Sequence, residues 1–192
     1  IIDVLVDMAI LKIARMGNPV LSKTSGTVED PTNPKILYLI GDMIETMRDA
    51  PGIGLAAPQI HVLKRIIVFY IPVSKMPVGQ DGVGLTVLIN PQIEPLTDEM
   101  ELGVEGCLSL PGMVGKVPRY TKIRYLGLLP NGEQLVVEAE GYHARVVQHE
   151  FDHLDGILYP MRMENLETFG YTEEIQKSIE EDGVYESGGR IE

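Results

Sequence analysis

Tryptophan is absent from this 192-residue chain, cysteine occurs once and aromatic residues make up only 6% of it. A lone cysteine, Cys107, excludes any internal disulfide, which fits a reducing compartment and leaves one thiol free for chemistry. Basic residues are also scarce, with 16 Lys and Arg against 28 Asp and Glu, for a formal charge of -12. That deficit argues against direct nucleic-acid binding, which draws on Lys and Arg to neutralise phosphates. No apolar run approaches the ~18 residues of a membrane-spanning helix, so no membrane partner is expected. Ile1 to Val6 lacks the basic flank and small-residue cleavage site of a secretory signal. Met8-Ala9 reads as a natural start, so residues 1–9 are set aside as an extension. The 44% hydrophobic content and the length suit one globular domain.

What the chain does contain is Gln148-His149-Glu150-Phe151-Asp152-His153. Two histidines four residues apart on a helix share a face, so both can offer a ring nitrogen to one cation. The glutamate between them then stands beside the open coordination position as a candidate general base. The helical pattern supports this from Tyr142 onward. Ala144, Val147, Phe151 and Leu154 form a core stripe, while Tyr142, Val146, His149 and His153 form a neighbouring stripe that should face a cleft. Gly156 ends the helix.

Upstream, a polar loop over 22–33 leads into a helix capped by Asn33 with Pro34 at its first position. Ile36, Leu37, Ile40, Met43, Ile44 and Met47 recur at helical spacing until Pro51-Gly52. Gly52-Ile53-Gly54-Leu55-Ala56-Ala57-Pro58-Gln59 follows, small residues that suggest tight backbone or the close approach of another chain. It is not a phosphate loop, because the Gly-Lys-Ser/Thr ending is missing. Strands are expected over 65–70 and 85–90 with the loop 72–84 between them, and over 122–128 and 134–139 with Pro130-Asn131-Gly132 as the hairpin turn. His61 and His143 read as ordinary histidines.

A catalytic metal site usually needs a third protein ligand and an open position for water. The extended motif with a third histidine finds Gly156 in place but Tyr159 at the final position, so that route fails. Glu164, Glu167, Glu173 and Glu174 remain alternative donors, although surface acids explain all four. The other candidate is Cys107, in Glu105-Gly106-Cys107-Leu108-Ser109, whose thiolate a metal would stabilise.

The glycine segment, the cysteine segment and the histidine helix, in that order, resemble the three motifs of the peptide deformylases, which remove the formyl group from the N-terminal methionine of new proteins. The resemblance covers roughly residues 10–163. It implies an α+β fold with mostly antiparallel sheets packed around a central metal-binding helix, a catalytic domain over 10–165, and an acidic C-terminal tail over 166–192. It makes Cys107, His149 and His153 the ligands of one divalent metal ion per chain, natively Fe2+, with Zn2+, Ni2+ or Co2+ able to replace it. It makes Glu150 the proton shuttle, and Gln59 and the backbone N–H of Leu108 the donors to the developing oxyanion.

The peptide-binding side falls to Ile53, Gly54, Glu105, Gly106, Arg119, Tyr142 and Val146. Within that set Ile53, Gly54, Tyr142 and Val146 would wall an apolar methionine pocket, and Glu105 with Arg119 would form an ion pair bracing the cysteine segment. The substrate would lie extended along an exposed backbone edge at residues 52–55. The expected partners are N-formyl-methionyl nascent peptides. The tail lacks a basic helix of the kind proposed to dock some members on the ribosome. The expected location is the bacterial cytoplasm, with an organelle as the eukaryotic alternative, and the loop 72–84 is expected to be a lineage-specific insertion. An endopeptidase of the His-Glu-x-x-His type and a metal-stapled non-enzymatic module are the competing readings.

Overall fold

Six consecutive residues, Ile-Ile-Val-Phe-Tyr-Ile at 66–71, can be apolar throughout only where both faces of a strand are covered. The computed structural model, which describes residues 8–181, covers both. Expectations for residues 1–7 and for the part of the acidic tail over 182–192 lie outside the described residues. The larger sheet is antiparallel and runs, in spatial order, through β1 (Gly54–Ala56), β2 (Ile66–Ile71), β3 (Val83–Pro95), β6 (Lys122–Leu128) and β7 (Gln134–Glu140). Alternate residues of β2 serve opposite layers, as a pleat of period two requires. Ile67, Phe69 and Ile71 pack with Leu88, Ala144, Val147 and Leu154, under helix α2 (Gly141–Leu154). Ile66 and Val68 pack with Ile40, Met43 and Met47 of α1 (Pro34–Asp49) on the other face. Each such side chain fully buried contributes roughly 1.5–3 kcal/mol.

The ends of the helices follow their signals. The Asn33 side chain accepts from the backbone N–H of Lys35 at 3.0 Å, with Pro34 at the first position. Past Leu154, Gly156 takes a φ of +72° that a side chain resists, and a Cβ there would come within 2.6 Å of the Ser22 carbonyl carbon. The expected hairpin turn is present too, with Gly132 at φ +86° and its N–H bonded to the Leu129 carbonyl.

The second sheet joins β4 (Met100–Cys107), β5 (Leu110–Tyr120) and β8 (Gly170–Tyr171). Neither long strand was expected from sequence, and the reason is physical. Glu105 is buried beside α2 while Met100 and Leu102 are about half exposed, so β4 buries an acid and leaves two large apolar side chains outside. In β5, two prolines and two glycines mask the strand. The strand expected over 85–90 runs on to Pro95 because the pairing is irregular between Ile89 and Gln92. Asn90 there sits at φ +52° with its side chain bonded to both the N–H and the carbonyl of Val28. The packed body also passes the expected boundary at residue 165. Phe169 lies against the cluster of Leu110, Val117 and Tyr159, and Gly170 and Tyr171 pair with Val114 and Met113 before helix α3 (Thr172–Glu181).

Candidate metal centre

Two elements deliver the three donors: the end of β4 brings Cys107, and successive turns of α2 bring His149 and His153. One ligand atom from each lies within 4.8 Å of the others, and Cys107 Sγ is 3.3 Å from His153 Nε2. The two imidazoles meet edge to face at 5.1 Å, and Tyr159 stacks on His149 at 6.1 Å. Among the described residues no downstream glutamate enters the cluster.

The donor set fits a cation because of what holds it. Glu105 is buried, which alone would raise its pKa, yet hydrogen bonds from His149 and Arg119 hold it far below the usual carboxylate range. An ionised carboxylate only accepts, so His149 Nδ1, 2.9 Å from Glu105 Oε2, carries the proton and Nε2 is left for a metal. His153 is held neutral by burial and by the nearby cationic charge, the state a ligand needs. His149 is drawn upward against its burial by Cys107 and Glu105.

Glu105 and Arg119 do not face a peptide. They are 6% and 5% exposed and form a two-pronged pair, Nε to Oε1 at 2.9 Å and Nη2 to Oε2 at 3.0 Å, behind the histidines. Arg119 Nη1 continues to Asp152 Oδ2 at 2.6 Å, and Arg162 clamps the same carboxylate from outside at 2.7 and 3.2 Å. Bracing by the ion pair matches the sequence reading, whereas their grouping with substrate-binding residues is corrected by this burial. Gly106 is exposed and a Cβ on it would meet only ordinary contacts, the nearest at 3.6 Å.

On the opposite side of the cysteine lies the short 3-10 helix Ala57–Ile60 with Gln59, 1% exposed. Its Oε1 accepts from the Ala56 N–H at 2.8 Å, which fixes the amide so that Nε2 points to Cys107 Sγ at 3.5 Å and Ser109 Oγ at 3.2 Å. Glu150 is 5% exposed, one carboxylate oxygen has no hydrogen-bond partner, and burial pushes its pKa up to about 7. The space it fills exists because residue 54 is glycine: a Cβ there would lie 2.1 Å from Glu150 Oε1. The absence of a side chain at Gly54 therefore leaves the room that the carboxylate occupies.

Ile53, Tyr142 and Val146 do come together, in the apolar cluster with Phe69 and Ala144. The backbone at β1 is a sheet edge as expected, but a buried one, since Gly54, Leu55 and Ala56 are covered and Leu108 crowds Gly52. Leu108, half-buried, follows the cysteine directly. His143 stands apart, bonded to the Tyr125 hydroxyl at 3.1 Å. Sequence reasoning missed Arg145, Gln148, Asp152 and Ser109, all buried. Arg145 and Asp152 are seven residues apart on one helical face, and two charges on a helix already apolar on its other faces were the available signal.

Comparison with known proteins points to one family. Residues 10–169 match the family described as polypeptide deformylase. Peptide deformylase 1 of Bordetella pertussis is 52% identical over 161 residues, 84% of this chain and 92% of its own. Peptide deformylase 1 of Xanthomonas campestris pv. campestris is 49% identical over 170 residues, 88% and 99% of the two chains. The structure of peptide deformylase from Ehrlichia chaffeensis in complex with actinonin is similar with a TM-score of 0.76 at 33% identity, over 91% of this chain and 99% of that one. The Met-Ala-Ser-bound class I type b peptide deformylase from Acinetobacter baumannii gives 0.73 at 34%, over 81% and 99%.

Proposed function

Because this chain belongs to the polypeptide deformylase family, hydrolases that remove the N-formyl group from N-terminal methionine, we propose that Cys107, His149 and His153 hold the cation at which it does so. The observation that carries the reading is the convergence of these three donors, with the Gln59 amide bonded to the cysteine and a buried, partly unpartnered Glu150 carboxylate that feels the charge of His149. When bound, a divalent cation supplies Lewis acidity and brings the pKa of an adjacent water toward ~7.

Glu150 accepts the proton of the attacking water at its free carboxylate oxygen and returns one to the departing amine. Its burial raises its pKa to about 7, which suits a group that must take and give a proton near neutrality. Gln59 Nε2 and the Leu108 backbone N–H donate to the oxyanion as the formyl carbon becomes tetrahedral. The amide is already aimed, because Ala56 holds its oxygen, and losing one such donor typically costs about 10²–10³ in rate. Glu105 and Arg119 act on the ligands, keeping His149 oriented and proton-bearing at Nδ1.

The substrate lies extended beside β1, with its methionine side chain against Ile53, Tyr142 and Val146. The Acinetobacter baumannii relative is bound to Met-Ala-Ser, a peptide that begins with methionine, which supports a methionine-headed peptide as the ligand class. Ferrous iron is the native metal in this reading, with zinc, nickel or cobalt as substitutes, since thiolate and imidazole suit all four. The enzyme works in the bacterial cytoplasm on nascent chains, and Glu173 and Glu174 at the start of α3 favour no basic dock on the ribosome. Among the described residues no helix is long and apolar enough to cross a membrane.

A formyl-Met peptide and an internal peptide offered side by side test the reading. Formate release without chain cleavage is expected, and internal cleavage at a comparable rate would overturn it.

A further inference from the structure

Arg145 has no place in the chemistry above, yet it is 8% exposed and carries a charge that burial penalises unless it is fully bonded. It is. Its Nη2 donates to the Glu101 carbonyl at 2.7 Å, and its Nη1 donates to Glu105 Oε1 at 2.9 Å, to the Val117 carbonyl at 2.7 Å and to the Gly103 carbonyl at 3.4 Å. Three of those acceptors belong to β4, the edge strand that ends in Cys107, and one to its partner β5. The guanidinium lies over the face of the β4–β5 pair, where a side chain at residue 103 would otherwise project, and bonds to carbonyls of both strands there.

Arg145 also stands four residues before His149, so the two lie on one side of α2. Both grip the same carboxylate: Oε1 of Glu105 accepts from Arg145 and Arg119, and Oε2 accepts from His149 and Arg119. The histidine helix and the cysteine strand are thereby tied at two points one turn apart. The tie has a steric condition. A Cβ at residue 103 would lie 2.6 Å from Arg145 Cζ and 2.7 Å from Nε, so the guanidinium reaches β4 only because residue 103 is glycine.

We infer that Arg145 is a positioning residue for the metal site, setting the register and distance at which β4 presents Cys107 to His149 and His153, and that Gly103 is the other half of the device. The inference rests on the proposal that these three residues bind a cation. A lysine at 145 would keep the charge but not the planar fork that spans two carbonyls and a carboxylate.

The test is Co2+ binding by the full chain and by Arg145→Lys, Arg145→Met, Gly103→Ala and the Arg145→Met/Gly103→Ala double variant, with folding followed by circular dichroism. Affinity is read by chelator competition, and geometry by the ultraviolet thiolate-to-cobalt charge-transfer band. Arg145→Lys is expected to stay folded and lose about 10–100-fold in Co2+ affinity with a weakened band, the loss typical when a group supporting metal ligands is removed. Gly103→Ala should match it, and adding Gly103→Ala to Arg145→Met should cost nothing further, because both remove one interaction. Wild-type affinity and an unchanged band in Arg145→Lys would overturn the inference, as would full additivity in the double variant. If the parent chain binds Co2+ no better than Cys107→Ser does, the metal site itself is refuted, an outcome separate from any difference among the Arg145 variants.

Discussion

Replacing Gly54 by alanine probes the seat of the proposed base without touching a single functional side chain. The backbone of Gly54 is extended, so alanine is tolerated conformationally, and the only obstacle is the Glu150 side chain. The new Cβ would lie 2.1 Å from Oε1, 2.6 Å from Cδ and 2.9 Å from Cγ, whereas ordinary contact begins at 3.4 Å. The carboxylate must therefore retreat by about 1.3 Å, the difference of the first and last of these distances. A misplacement near 1 Å can cost about 10²-fold, and complete loss of general acid–base help about 10²–10⁴-fold. A fall in kcat of at least about 10²-fold is expected. Overpacking adds roughly 1–3 kcal/mol of destabilisation, or a drop in Tm of roughly 2–12 °C for a chain of this size. Metal content should not change, since Cys107, His149 and His153 lie on other positions. Steady-state kinetics on a formyl-Met peptide, with Gly84→Ala as the control, decides the matter: Gly84 is exposed and its added Cβ meets nothing within 4 Å. If Gly54→Ala raised KM and left kcat intact, Gly54 would be a pocket wall and the reasoning given for it would be wrong.

Cys107→Ser should lower metal occupancy measured by elemental analysis, because a neutral hydroxyl is a far poorer ligand than a thiolate; a full complement of metal at normal affinity would remove Cys107 from the ligand set. The acid limb of kcat/KM should report Glu150. Burial raises its pKa to about 7 and a bound cation pulls it down, so activity should fall as pH drops through a midpoint between the ordinary ~4.3 and that value, when the base gains its proton. A rate flat from pH 7 to pH 4 would contradict this. Gly156→Ala should lower the urea midpoint by an amount equivalent to about 2–5 kcal/mol, from left-handed strain together with the clash against the Ser22 carbonyl; a change under about 0.5 kcal/mol would show that the Gly156 turn relaxes freely.

The parts of this molecule that sequence made legible are those encoded locally. The spacing of His149 and His153, the cap at Asn33, the stop at Gly156 and the turn at Gly132 each follow from chemistry within a few residues, and each is present. What stayed hidden depends on pairing across the chain. The pattern of β4 misleads, with Glu105 buried against Arg145 and with Met100 and Leu102 outward, so a rule that puts apolar residues inside points the wrong way. Arg119 could be paired with Glu105 by guesswork, but the bond from Glu105 to His149, 44 residues away, and the clamp of Arg162 on Asp152 are properties of the assembled fold. Gly54 was noticed as part of a small-residue segment; that its missing side chain is the space for Glu150 appears only when β1 and α2 are brought together.

Glu150→Gln, assayed for metal content and formate release on a single preparation, tests most directly whether this carboxylate moves the protons. The amide has nearly the shape of the acid, and Cys107, His149 and His153 are untouched, so the fold and the metal should be retained. Only turnover should collapse, toward the upper end of the about 10²–10⁴-fold range because one group serves both proton transfers. A metal-replete Glu150→Gln enzyme that released formate at a near-normal rate would contradict the mechanism, and loss of the metal together with activity would make Glu150 a ligand instead.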